Sequence, residues 1–271
     1  MTDFDTVELE YDPRGFATLW LNRPDKNNAF NAQMIRELIL ALDKVQSDSR
    51  LRFLLLRGRG RHFSAGADLA WMQESANLDY QTNLGDAREL GELMYGLAKL
   101  KLPTLAVVQG AAYGGALGLI SCCDMAIGAD DAQFCLSEVK IGLAPAVISP
   151  FVVKAIGERH ARRYALTAER FDGQRAREIG LLAESYPAAE LEAQLQHWVS
   201  NLLLNSPQAM RVSKDLLREV GHGELTPSLR RYCKNAIARI RVSPEGQEGL
   251  RAFLHKREPS WRDESKNGDT P

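Results

Sequence analysis

Two strand–turn–helix junctions built from small residues constrain this 271-residue chain more than any other feature. In one, Thr104-Leu-Ala-Val-Val-Gln109 reads as a buried strand, a glycine-rich turn follows, and a helix opens near Gly115. In the other, Phe53 to Arg57 reads as a strand that leads into His62-Phe-Ser-Ala-Gly-Ala-Asp68. A helix start leaves backbone N–H groups without intrahelical partners, and its dipole favours negative charge beyond them. Two such donors that converge would make an oxyanion hole, suited to the enolate of an activated acyl group. The plainer alternative is that the glycines only let a helix pack close to a strand.

The spacing Gly110, Gly114, Gly115, Gly118 does not follow G-x-G-x-x-G, and no Gly-Lys-Ser/Thr follows it. A dinucleotide fingerprint and a P-loop are therefore not expected. A net charge of −1 supplies no field for nucleic acid or an anionic membrane surface, so neither is expected as a partner. Cys122, Cys123, Cys135 and Cys233 lack paired zinc spacing and read as buried thiols in a reducing compartment. His62 has no second His or Cys at ligand spacing, so no metal is expected. The first residues are acidic and carry no apolar signal segment, and no apolar run approaches the ~20 residues of a membrane span. A cytoplasmic location is expected.

Short strands alternate with helices over residues 1–190, a pattern that implies right-handed crossovers and largely parallel pairing. Phe16–Leu21 is strand-like, and Asn31 is placed to cap a helix with apolar positions Met34, Ile35, Leu38, Ile39 and Leu42. Leu84–Leu100 reads as a long helix, and Asp124–Gly128 and Gln133–Leu136 as short strands. Residues 191–257 read as successive helices with no strand signal. Residues 258–271 form a polar tail expected to be partly disordered.

Asn22-Arg-Pro, His62-Phe-Ser-Ala-Gly-Ala-Asp-Leu69, Gln109-Gly-Ala-Ala-Tyr-Gly-Gly115, Cys123-Asp124, Phe134 to Glu138, Gly142-Leu-Ala-Pro145 and Glu248 to Lys256 occur in a familiar order. In that order and spacing the chain resembles the enoyl-CoA hydratase/isomerase (crotonase) family. Within it the chain is most similar to bacterial 3-methylglutaconyl-CoA hydratases, with isohexenylglutaconyl-CoA hydratases next. The resemblance implies an α/β fold, a spiral of ββα units with a C-terminal helical region that builds trimers, often paired into hexamers. It implies an acyl-CoA substrate and no separate cofactor, CoA being part of the substrate.

The resemblance puts the oxyanion donors at the backbone N–H groups of Ala67 and Gly115, with Gly66, Asp68, Gly114, Gly118 and Leu143 around the substrate. It places CoA along Lys26, Ala29 and Ala65, with Phe253 and Lys256 reaching CoA from an adjoining subunit. Phe253 has the spacing of interface core with Leu250 and Leu254, and Lys256 that of a solvated charge. Asp68 is expected chiefly to cap the turn that presents Ala67. Taken alone, a glutamate such as Glu138 is usually a surface residue. The resemblance makes it one of two hydratase glutamates, passing a proton to C2, with desolvation raising its pKa.

Where the second hydratase glutamate belongs, this chain has Gly118. The expectation is that the absent side chain makes room for a substituent at C3 of the substrate. An isomerase, which needs one base, or a non-catalytic acyl-CoA- or RNA-binding homologue are the alternatives. Residues Leu143 to Ile148 are expected to line the C3 pocket, and Lys140 and Arg88 are candidates for holding a distal carboxylate.

Overall fold

The computed structural model describes residues 4–221 and 223–262. The tail expectation for residues 263–271 lies outside the described residues. The chain begins with a hairpin of β1 (Val7–Asp12) and β2 (Phe16–Leu21), then α1 (Ala32–Ser47) and β3 (Leu54–Gly58). Next come α2 (Leu69–Ser75), α3 (Tyr80–Lys99), β4 (Thr104–Val108) and β5 (Ala111–Tyr113). They are followed by α4 (Gly115–Cys122), β6 (Met125–Ala129), β7 (Gln133–Cys135), α5 (Ser149–Thr167) and α6 (Gly173–Glu178). After β8 (Glu184–Tyr186) the described residues hold no further strand, and the helices α7 (Leu191–Leu203), α8 (Pro207–Val220), α9 (Pro227–Val242) and α10 (Pro244–Leu254) follow.

The main sheet runs β1-β2-β3-β4-β6-β8, and β5 pairs with β7 in a small second sheet. Only β1 and β2 run antiparallel; the other pairs are parallel. Parallel strands are covered on both faces, which is why Leu54-Leu-Leu56 and Thr104 to Val108 are unbroken buried runs. Asn31 caps α1 by accepting a hydrogen bond from Met34 N at 2.9 Å. The buried stripe Met34, Ile35, Leu38, Ala41, Leu42 and Val45 then faces the sheet, each large side chain contributing about 1.5–3 kcal/mol.

Several boundaries differ from the sequence reading. The long helix starts at Tyr80 rather than Leu84, because Asp79 caps it through Thr82 N at 2.8 Å. The strand read from Asp124 begins at Met125, since the Asp124 carboxylate accepts from Thr104 N and Oγ1 at 2.8 and 2.9 Å. That same carboxylate pairs with Lys214 of α8 at 2.7 Å, and Lys214 also donates to Leu102 O. Arg52, itself buried, donates to Leu203 O, Asn205 O and Trp261 O, fastening those residues to the segment that enters β3. Cys122 and Cys135 are buried, while Cys123 and Cys233 are partly exposed; all four are free thiols. Among the described residues no helix is long and apolar enough to cross a membrane.

Candidate active site

The two junctions are tied together by main-chain hydrogen bonds. Ser64 N donates to Ala111 O and Tyr113 N donates to Ser64 O, both at 3.0 Å, so the His62–Asp68 loop runs beside β5. His62 supports this seam: its Nδ1 accepts from Ala111 N at 2.9 Å. Burial, with Arg61 adding repulsion, keeps its pKa low and the ring in the neutral form that can accept. Gly66 has φ +94°, and a methyl group there would stand 3.0 Å from Tyr113 O. Only glycine meets both demands without strain.

Phe30 then decides where Ala67 points. Phe30 N donates to Gly66 O at 2.7 Å, and Asp68 N donates to Phe30 O at 2.8 Å. In such a parallel bridge the groups of residues 66 and 68 face Phe30, so the N–H of Ala67 between them faces the other way. It has no partner among the described residues, and Ala67 is exposed. Asp68 caps α2 through Ala70 N at 2.9 Å and pairs with Arg23 at 2.9 Å. Burial would raise the pKa of this carboxyl, but Ala70 N–H and Arg23 together hold it below the usual range.

At the second junction Gly114 N donates to Cys135 O at 2.9 Å, and Gly114 adopts φ 54°, ψ −121°, open to glycine alone. The next N–H, that of Gly115, opens α4 and also has no partner among the described residues. A methyl on Gly115 would touch the Phe30 ring at 3.2 Å. Phe30 therefore borders both residues that carry a free N–H, Ala67 by its backbone and Gly115 by its ring.

Glu138 completes the group. The parallel pairing of β5 with β7 sets Tyr113 against Cys135, and the tight helical turn Glu138–Ile141 follows. Leu143 N closes that turn on Glu138 O at 3.0 Å. The carboxyl lies on the Gly114 turn, where a methyl would stand 3.3 Å from Oε1. Its Oε2 is buried and has no hydrogen-bond partner among the described residues. Burial pushes its pKa up, because the charged form loses water and gains no cation. A free N–H at Gly115, next to the turn on which a reluctantly ionised carboxyl lies, and a second free N–H at Ala67 on the adjoining loop are groups that can stabilise an oxyanion and deliver a proton.

The sequence model of the family described as "Enoyl-CoA hydratase/isomerase" matches residues 12–264. The chain belongs to the enoyl-CoA hydratase/isomerase family. An enoyl-CoA hydratase from Shewanella pealeana superposes with a TM-score of 0.91 at 48% identity, covering 96% of this chain and 97% of that one. A putative enoyl-CoA hydratase of Thermus thermophilus is 32% identical over 90% of this chain and 96% of its own length. The 2,3-dehydroadipyl-CoA hydratase of Escherichia coli is 30% identical over 90% and 94%. The expected α/β crotonase fold is thereby the fold of this chain, with its C-terminal helices.

Measured against the family pattern, one expectation needs correction. Gly118 is buried, and a methyl there would meet Ile148 Cγ2 at 2.3 Å, Ile148 Cβ at 2.9 Å and Met94 Cε at 3.0 Å. The space left by the missing glutamate is filled by Ile148, so it is not room for a substrate branch. Lys26 and Ala29 lie on one turn, and Ala65 on the His62–Asp68 loop joins it by donating its N–H to Asn27 O at 2.9 Å. Leu143 is exposed just beyond the Glu138 turn. Phe253 and Lys256 stand apart, on and beyond α10, which packs on α8 and α9. Phe253 is 82% exposed in the single chain.

Sequence reasoning missed two residues that build the site and the contact made by a third. Phe30 was passed over, although an apolar residue just before an Asn cap is a recognised helix-start signal. Asn28 is fully buried and donates to Arg59 O and His62 O, both at 2.8 Å, locking the Lys26 turn to the His62 loop. Its φ of 54° fits the tolerance of Asn for left-handed backbone. Ile148, expected to line the C3 pocket, instead packs on Gly118, a contact that no local signal announces because the two lie 30 residues apart in the chain.

Proposed function

We propose that this protein hydrates a C3-branched, carboxylate-bearing 2-enoyl-CoA of the 3-methylglutaconyl-CoA type. The observation that carries the reading is the buried, unpartnered Oε2 of Glu138 on the turn that ends in the free Gly115 N–H. In this reading the thioester oxygen accepts from Ala67 N–H and Gly115 N–H. Water adds to C3, and the electron pair of the C2=C3 bond moves into the enolate held by those donors. The Glu138 carboxyl gives its proton to C2, and the proton lost by water restores it. Each backbone donor is worth about 2.7–4 kcal/mol in such a hole.

The names of the relatives support a hydratase, and the Escherichia coli relative is named for an acyl group with a second carboxylate. Lys140, exposed two residues beyond Glu138 on the same turn, is the cation we assign to the distal carboxylate. CoA lies along Lys26, Ala29 and Ala65, with Phe253 and Lys256 supplied by a neighbouring copy in a trimer or dimer of trimers. Exposed Leu217, Val242, Leu250, Phe253 and Leu254 on the last helices fit that assembly. One observation favours a second reading: the Gly118 position is closed by Ile148, leaving one carboxyl, which is what shifting a double bond between C2 and C4 requires.

The deciding experiment supplies purified protein with 3-methylglutaconyl-CoA, isohexenylglutaconyl-CoA, crotonyl-CoA and a 3-enoyl-CoA while following the 2-enoyl chromophore. Loss of the chromophore fastest with the branched substrates is expected. Gain of it from the 3-enoyl-CoA alone would establish the isomerase, and preference for crotonyl-CoA would remove the branched substrate class.

A further inference from the structure

The loop that leaves the Glu138 turn returns to the helix that carries Gly115. Gly142, with φ +79°, ends the Glu138–Ile141 turn, and the chain reaches Ile148 at the start of α5. On the way Val147 comes to Gly91 of α3, its Cγ1 4.0 Å from where a methyl on that glycine would stand. Ile148, 2% exposed, then presses its branched side chain onto Gly118 of α4. Glu138 itself lies on Gly114, immediately before α4. One eleven-residue excursion, Glu138 to Ile148, thus grips the start of α4 at two points, residues 114 and 118, about 6 Å apart along the axis at 1.5 Å per residue.

The two grips differ in kind. At Gly114 the neighbour is a carboxylate oxygen; at Gly118 it is Cβ and Cγ2 of a β-branched residue, with Met94 Cε completing an apolar seat. A β-branched side chain has little rotamer freedom with which to withdraw. The approach is too close for any side chain at position 118. Gly118 is therefore glycine because of Ile148, and the two form a single packed unit between the donor helix and the acid's loop.

We infer that Ile148 is a positioning residue for the reaction: seated on Gly118, it fixes the Glu138 loop against the helix that presents the Gly115 N–H. The inference rests on the assignment of Glu138 and Gly115 above. It gives the glycine in place of a second carboxylate a mechanical role, since the volume beside Gly118 is occupied by a clamp of hydrocarbon. Catalytic turnover runs through one acid whose distance from the oxyanion donors is set by the Ile148–Gly118 contact.

The test is a double-mutant cycle with Gly118→Ala, Ile148→Ala and the pair, with Ile148→Val as the conservative control. Two reactions are followed: hydration of 3-methylglutaconyl-CoA, and exchange of the C2 hydrogens of butyryl-CoA in D₂O, which needs the donors and Glu138 but no hydration. Gly118→Ala pushes Ile148 away, and kcat for both reactions is expected to fall roughly 10²-fold, the scale of a ~1 Å misplacement, with KM nearly unchanged. Adding Ile148→Ala removes the closest clash, that with Cγ2, and leaves Cβ at 2.9 Å, so the double variant is expected to recover part of that loss. Ile148→Val is expected to stay within about threefold of the parent, since it keeps the β-branch.

Losses that simply add across the cycle, or that fall on KM rather than kcat, would overturn the inference. Should Gly118→Ala not fold, Ile148→Ala against Ile148→Val decides alone: equal kcat for exchange in both rejects the clamp. Parent protein that exchanges butyryl-CoA hydrogens but hydrates nothing would reject the hydration reading and leave the cycle readable through exchange.

Discussion

The Ala67 and Gly115 junctions both leave a backbone N–H free, and they do so by different physics. Ala67 sits in extended chain, and its N–H is free because the flanking residues spend their hydrogen bonds on Phe30. Gly115 opens a helix, where the first N–H groups never have an intrahelical partner. The first donor thus depends on a third segment holding the strand in register. The second is intrinsic to the helix and gains from its dipole. The cap residues mirror this: Asp68 anchors the helix after Ala67 by its side chain, whereas Gly114 has none to offer and instead accommodates Glu138. A donor made by register is adjustable by sequence at a distance; a donor made by a helix start is tunable only at the turn itself.

The largest effect expected from breaking this pairing is at the carboxyl that serves only the helix junction. Glu138→Gln should lower hydration of 3-methylglutaconyl-CoA by orders of magnitude while CoA binding survives; near-normal turnover would remove Glu138 from the mechanism. Backbone changes come next. Gly114→Ala demands an L-residue at φ 54°, ψ −121° and crowds Oε1, so kcat should fall about 10²–10³-fold. Gly66→Ala, at φ +94°, should cost less, because Phe30 still pins residues 66 and 68. Equal losses in steady-state kinetics would show that the two junctions respond alike.

Smaller effects sharpen the contrast. Asp68→Ala removes a cap and strands Arg23, and thermal or urea unfolding should show a loss of about 1 kcal/mol with a modest fall in kcat. The smallest effect concerns pH. Glu138 binds its proton more tightly in the folded than in the unfolded chain, so the native state holds more protons between the ordinary glutamate pKa and the raised one. Stability must then fall as pH rises through that window. Glu138→Gln should therefore be more stable than the parent at neutral pH, and the difference should vanish below about pH 4. A difference that stays constant with pH in urea titrations would contradict the burial argument. For activity the sign is the same: a proton donor is lost as pH climbs past the raised pKa, on the alkaline side of the kcat/KM profile.

Much of this arrangement was legible in the chain. The glycine spacing at 110, 114, 115 and 118 announced a strand entering a helix, and apolar runs announced parallel strands, because those signals are local. The β1 strand was not legible: Val7-Glu-Leu-Glu-Tyr-Asp12 alternates, but its edge position leaves charges along it and the apolar signal is weak. Nor was β8, three residues long and held by pairing with β6. At the site, the resemblance named Glu138 and the two donors, but the closed seat at Gly118 depends on a residue 30 positions away. Periodicity cannot report such a contact. Composition cannot either.

Lys214 carries a consequence of its own. Its side chain is 7% exposed, and its ammonium group is the counter-charge for a carboxylate that also holds Thr104 at the start of β4. A fragment cut off ahead of α8 would retain Asp124 and lose the cation, leaving the carboxylate that holds the start of β4 without its counter-charge. The helical end of this polypeptide is thus no detachable module that could be trimmed or swapped, but a keystone set into the sheet from which the chemistry hangs.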